Sequence, residues 1–387
     1  MSGPVILQAR LAQRPSGRFF WIDLLKAVGC ILIVLHHMAF YGPMSDVVAQ
    51  AWPGLMSWLA QHARLAVQVF LVCSGFLTAQ VMLSLSDVTV STVLRMCSRR
   101  YLRLVLPLLA ALSLTVLLSE MIRPSFQHDS LSAVPDGWQA LTHVLLLQHL
   151  LGVEALSAGV WYVAVDFQLY LSALLVAWLA QSLARQGWGS ALHWQMGWVA
   201  LLTVFSLVYW THLQALEDLA VFFWGAYGMG WLAWYARTRW SVLQRTLVWL
   251  ALGTLCALFD AKGRALTAWG VSVLLLVMPV LGSGLPQAAN FGAKFGAKFV
   301  RWLSRISYPV FVVHFGVTLV VNAKVSALWP SSTIMNGLGM VAALLLSLWA
   351  GDALHRLTEQ GPATWRRWMA WMTTFMASTG LAIWLAS

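Results

Sequence analysis

Charge is what this sequence has least of. Only 10% of its 387 residues are Asp, Glu, Lys or Arg, against roughly a quarter in an ordinary soluble domain. With 60% of residues hydrophobic, that scarcity excludes a water-soluble globular fold. Cysteine is also scarce. Cys30, Cys73, Cys97 and Cys256 have no metal-type spacing, so neither a disulfide framework nor a zinc site is expected. There is no phosphate-binding loop, nucleophile elbow, dinucleotide fingerprint or metal-ligand motif. Long stretches of alternating polar and apolar residues are missing as well, which argues against a membrane barrel. No internal repeat of the kind found in many transporters is visible.

What the chain does have is long, continuous apolar runs. Eleven segments suit membrane-crossing helices: 19–40, 65–85, 101–122, 162–183, 194–212, 215–236, 243–259, 265–282, 306–323, 333–351 and 368–386. The expected fold is therefore all-α, a polytopic transmembrane bundle of ten to eleven spans. The piece 141–153 is too short to cross and reads as interfacial or re-entrant. The net charge of +11 could suggest nucleic acid, but its placement argues for topology instead. If the N-terminus is cytoplasmic, the only basic residues left outside are Arg64, Arg123, Lys262, Arg264 and Lys324. Among the acids, only Asp23, Asp87, Asp352 and Glu359 fall inside. The bias of the basic residues follows the positive-inside rule.

The expected organisation is a basic leader, 1–18 (Arg10, Arg14, Arg18), followed by one membrane domain, 19–386. The leader runs straight into a full-length apolar segment, so no cleavable signal peptide is expected. The longest outer stretch, 121–160, suits a lid or acceptor-recognition loop. An inner segment, 283–305, carries the tandem Phe-Gly-Ala-Lys-Phe-Gly-Ala-Lys ending at Lys298, then Arg301 and Arg305. It reads as irregular and basic, lying on anionic headgroups, or else helping to bind an anionic substrate.

Ionisable groups inside apolar spans are costly and tend to mark function. The first span carries Asp23, Lys26, His36 and His37. At about 100° per residue, Lys26 and His37 share a face, Asp23 lies near it, and His36 is turned away. A neutral imidazole at His37 could serve as general base towards a hydroxyl. Asp166 is an acidic candidate to orient it. Arg95, Arg99, Arg100 and Arg103 form a basic cluster. With Lys26 they could grip phosphates through guanidinium forks, although topology anchors would look the same. His314 is placed mid-span, as a pocket residue or a satisfied structural one. The Ser74-Gly75 pair and Pro309 mark kinks or close helix contacts.

Taken in order, these segments resemble the acyltransferase-3 family of integral membrane O-acyltransferases. The resemblance rests on Asp23, Lys26 and His37; on Phe70 to Phe76; on Arg100, Arg103 and Pro107; on Trp161, Asp166 and Tyr170; and on Ser307, Tyr308 and His314. Lys26 stands where the family has Arg, and Asp166 where it has Glu. The resemblance implies a cytoplasmic acyl-CoA donor, usually acetyl-CoA, with no metal. The acceptor would be a hydroxyl of a cell-surface or lipid-linked saccharide. His37, Asp166 and Asp23 would be catalytic, and Lys26, Arg99, Arg100 and Arg103 would bind the donor. His36, Ser74, Trp161, Tyr170, Tyr308 and His314 would line the pocket. The setting would be the plasma membrane (in bacteria the inner membrane), with lipids as partners and no nucleic acid. A multi-pass transporter or flippase, using the buried Asp, His and Lys for passage, is the alternative.

Overall fold

The computed structural model describes residues 20–260, 262–282 and 291–387. The leader arginines and residues 283–290 lie outside the described residues. Fourteen α-helices account for most of what is described: α1 (Phe20–Phe40), α2 (Pro43–Ala51), α3 (Pro53–Gln61), α4 (Ala66–Met82), α5 (Val90–Ile122), α6 (Gly137–Leu145) and α7 (Val160–Arg185), then α8 (Ala191–Val208), α9 (Ala220–Arg239), α10 (Val242–Phe259), α11 (Arg264–Gly282), α12 (Phe291–Leu328), α13 (Thr333–Thr358) and α14 (Trp365–Ala386). The class is all-α because a helix satisfies its own backbone groups within one segment, which an apolar surrounding demands.

Helix starts are written locally. Pro43 and Pro53 occupy first-turn positions, where the missing N–H costs nothing. Thr89, Asp136, Ser190, Ser332 and Thr364 cap their helices by accepting a backbone N–H. Ser241 and Gln244 form a reciprocal capping box.

Each of the eleven apolar segments overlaps one of the long helices, with ends that differ by a few residues. Among the described residues, nine helices are long and apolar enough to cross a membrane. α9 is not one of them, and its position explains why. Trp224, Tyr227 and Trp231 of α9 are fully buried, so that helix faces protein more than lipid and needs less hydropathy. It packs tightly on α4 because both carry glycine at the crossing. A Cβ on Gly75 would come within 1.9 Å of the Tyr227 carbonyl oxygen, and one on Gly230 within 2.0 Å of that of Val72.

The centre of the bundle is α1, α4, α5, α7 and α12. In α5, 78% of the most apolar window is buried, against 17% in α10, which marks α10 as a rim helix. Two central helices are longer than a bilayer requires. α5 has 33 residues and α12 has 38, whereas about 20 cross the hydrocarbon. α12 begins at Phe291, so the part of the basic segment that is described, 291–305, is helix rather than irregular chain. Continuing the helix keeps its backbone bonded while Pro309 is tolerated inside.

The segment 123–159, expected from sequence to lie outside, folds back into the molecule. The Tyr101 hydroxyl donates to the Val144 carbonyl at 2.7 Å. Tyr101 lies about 32 Å back along α5 from Ile122, at 1.5 Å per residue. α6 therefore reaches deep beside α5 and α14, as a re-entrant piece does. Trp138, Leu141 and Leu145 leave apolar surface exposed on it.

Candidate functional site

One cavity of about 500 Å³ opens between the central helices. Helical spacing puts its polar walls in place. Tyr162, Asp166 and Tyr170 recur every fourth residue along α7, as do Ser74 and Thr78 on α4, so each set shares a face. α5 supplies Arg99, Arg100 and Arg103, α1 supplies Lys26, and α12 supplies Arg305 and Tyr308. Glu359, just past the end of α13, is the second carboxylate. A second space of about 500 Å³ shares Lys26, Arg99, Arg103, Arg305 and Glu359, and runs to Gly361 and Ala363 in the exposed turn before α14. Arg99, Arg103 and Arg305 are themselves exposed. They form a cationic mouth, with Arg100 further in.

At the inner wall, both oxygens of Asp166 are engaged. Ser74 donates its hydroxyl to Oδ1 at 2.9 Å, and the Arg100 guanidinium makes a close ion pair with Oδ2. Arg100 also lies over the Tyr170 ring, 5.2 Å from its centroid. Tyr308 donates to the Leu104 carbonyl at 2.6 Å, which ties α12 to α5. Asp166 thus orients Arg100, not His37. The sequence reading offered Asp166 as a partner for His37 and placed Arg100 in a separate basic cluster. It could not register that α5 continues far beyond its apolar stretch, or that α7 starts inside the bundle at Gly159.

His37 has a different partner. Its Nδ1 lies 2.7 Å from Nε2 of His314. The ring planes are within 7° and their centroids 4.9 Å apart, which puts the bond in the plane of both rings, along the nitrogen lone pairs. His314 Nδ1 lies 2.8 Å from the Phe311 carbonyl and 3.2 Å from that of Val310. A carbonyl only accepts, so His314 Nδ1 carries the proton and its Nε2 is an acceptor. His37 must then donate from Nδ1, which leaves Nε2 as its free lone pair. Neither ring lines the cavity. Phe70, Tyr162 and Phe311 close the cavity on that side, with Tyr162 centroids 5.5 Å from Phe311 and 6.2 Å from Phe70.

Of the residues singled out from sequence, Lys26, Ser74, Arg99, Arg100, Arg103, Asp166, Tyr170 and Tyr308 line the cavity. Four others do not. Asp23 is buried at the seam of α1 and α12, where Ser304 donates to its Oδ1 at 2.6 Å. His36 Nδ1 bonds the Leu59 carbonyl at 3.2 Å and faces α3. Trp161 stacks on Phe223, 5.4 Å between centroids. His314 stands behind His37. His36 is next in the chain to His37 and Trp161 to the lining residue Tyr162, and one step around a helix turns a side chain about 100° away. Glu359, Tyr162 and Phe311 were not anticipated as site residues. Tyr162 is four residues before Asp166 and Phe311 three after Tyr308, so helical spacing alone carried the signal.

The profile of a family described as an acyltransferase domain, Acyl_transf_3, matches residues 19–356, most of the chain. Comparison with curated proteins and with solved structures found no match.

Proposed function

This chain belongs to the acyltransferase-3 family of membrane acyltransferases, and from that premise we propose that it moves an acetyl group from acetyl-CoA to a hydroxyl of a cell-surface or lipid-linked saccharide. The observation that carries the donor assignment is the convergence of Lys26, Arg99, Arg100, Arg103 and Arg305 on one cavity with an exposed mouth. Topology anchors at a membrane edge have no reason to surround a hollow. Coenzyme A is anionic at its nucleotide end and carries its thioester at the far end of a long neutral arm, which suits cations at the mouth and tyrosines and phenylalanines within. Guanidinium forks grip phosphate bidentately, and Asp166 holds Arg100 in position to do so. The N-terminus and the mouth face the cytoplasm, where the donor is found.

His37 Nε2 takes the proton of the acceptor hydroxyl, and the oxygen attacks the thioester carbonyl. The carbon–sulfur bond breaks, the new ester forms, and the proton passes to the departing thiolate. The His314 Nε2 lone pair faces the His37 Nδ1–H throughout and favours the imidazolium that forms in between.

Calorimetry of the purified chain with CoA and acetyl-CoA, combined with radiolabelled acetyl transfer to a panel of saccharides, tests this. Binding weakened by salt, together with label on a saccharide, is expected. CoA binding absent at low salt would remove the donor assignment. Solute uptake by proteoliposomes with no transfer would replace the enzyme with a transporter.

A further inference from the structure

The donor cavity and His37 do not meet in this structure. Phe311 lies between them. Its ring borders the cavity on one side, and on the other it packs against Gly159, where a Cβ would come within 2.8 Å of Phe311 Cζ and 3.3 Å of His37 Cε1. One small space beside Gly159 is therefore shared by the edge of the Phe311 ring and the edge of the catalytic imidazole. Gly159 has φ +82, the left-handed region that favours glycine, so the chain keeps this position without a side chain for two independent reasons. Tyr162, whose backbone N–H bonds the Gly159 carbonyl at 3.0 Å, braces Phe311 edge-on at 5.5 Å and 73°. Phe70 backs Tyr162.

We propose that this barrier is the acyl-length gauge of the enzyme, with Phe311 as its specificity-determining residue. The gauge rests on the donor reading above. A thioester arriving from the cavity brings its acyl group to the Phe311 ring. A two-carbon group fits beside the ring with its carbonyl towards His37. A longer chain must displace a phenyl ring that Tyr162 and the α7 backbone hold in place. Room for each added methylene has to come from a side chain, because the packed helices around it yield little.

The test measures the affinity of the full-length, purified chain for CoA and for its acetyl, butanoyl and hexanoyl thioesters by calorimetry. Wild type, Phe311→Ala and Phe311→Leu are compared, and a thermal melt verifies that each variant is folded. Wild type is expected to bind the acetyl thioester at least tenfold more tightly than the hexanoyl one. Phe311→Ala should bring that ratio near one or invert it, and Phe311→Leu should fall between. An unchanged chain-length ratio in folded Phe311→Ala or Phe311→Leu, with CoA and acetyl-CoA still bound, overturns the gauge and leaves the donor reading intact. Wild type that binds hexanoyl-CoA as tightly as acetyl-CoA does the same. Wild type that binds none of the four overturns the donor reading, and the gauge with it.

Discussion

His314 and His143 begin alike and end differently. Each spends Nδ1 on a carbonyl one turn back in its own helix, His314 on Phe311 and His143 on Gln139 at 2.7 Å. Each therefore presents Nε2 as an acceptor inside the protein, and both are 0% exposed. At His143 that acceptor takes the backbone N–H of Leu156 at 3.1 Å, and the chain of bonds stops there. At His314 it takes the ring N–H of His37, which leaves a free lone pair at His37 Nε2. A histidine on a helix is thus no sign of chemistry in itself. What separates the two is whether the donor that is satisfied has a second nitrogen with a lone pair to offer, as His37 has and the Leu156 amide has not.

The largest effect that would break this comparison is at His37. His37→Ala removes the proposed base and should lower the transfer rate by about 10²–10⁴-fold while donor binding persists, since general-base catalysis is worth about that much. His314→Ala should cost less, because His37 remains but is no longer held to one tautomer. His314→Gln offers a carbonyl oxygen to the same N–H and should recover part of the loss. Rescue by Gln but not by Leu, with a shifted pH–rate profile in His314→Ala, is the signature of positioning. Equal rates in wild type and all three His314 variants would reduce His314 to packing.

The next test concerns Asp166, where the sequence and the structure assign different partners. If Asp166 oriented His37, Asp166→Asn would move the pH profile of transfer. Bonded to Arg100 and Ser74 instead, it should raise KM for the donor and leave the profile in place. Arg100→Ala should weaken donor binding and also lower the melting temperature, because Asp166 then keeps a buried charge without its cation, a loss of about 3–5 kcal/mol when such a pair is broken. A moved pH profile in Asp166→Asn, with KM unchanged, would restore the earlier assignment.

The contrast between these residues shows what hydropathy can and cannot reveal. Helices were legible because each apolar run must satisfy its backbone alone. Lys26 and His37 were legible as inward-facing because they share one helix and one angular count. The pairing of Asp166 with Arg100 was not, because it depends on how far α5 runs past its apolar stretch and on where α7 begins. Polar flanks hide the first and a re-entrant loop hides the second. The in-plane bond between His37 and His314 joins helices at opposite ends of the chain, and no local pattern encodes that register. Arg305 was misplaced for a related reason. The glycines and lysines before it read as irregular, although the helix that carries it begins at Phe291.

The smallest effect falls on the other histidine. Burial pushes the His143 imidazole down to about 4 from its ordinary 6.5. A folded-state value below the unfolded one means that the folded segment refuses a proton which the loosened segment accepts. Stability of the re-entrant piece should therefore be complete above 6.5 and decline as pH falls towards 4, where Nε2 must become a donor facing the Leu156 N–H. Hydrogen exchange over residues 137–158, corrected for the intrinsic pH dependence of exchange, should show protection lost across that window. In His143→Ala protection should be low at every pH and no longer titrate. If protection in wild type stays flat from 6.5 to 4, His143 is not what holds the segment. The strut would then lie elsewhere, most plainly in the bond from Tyr101 to Val144, whose removal in Tyr101→Phe should loosen the same residues without any dependence on pH.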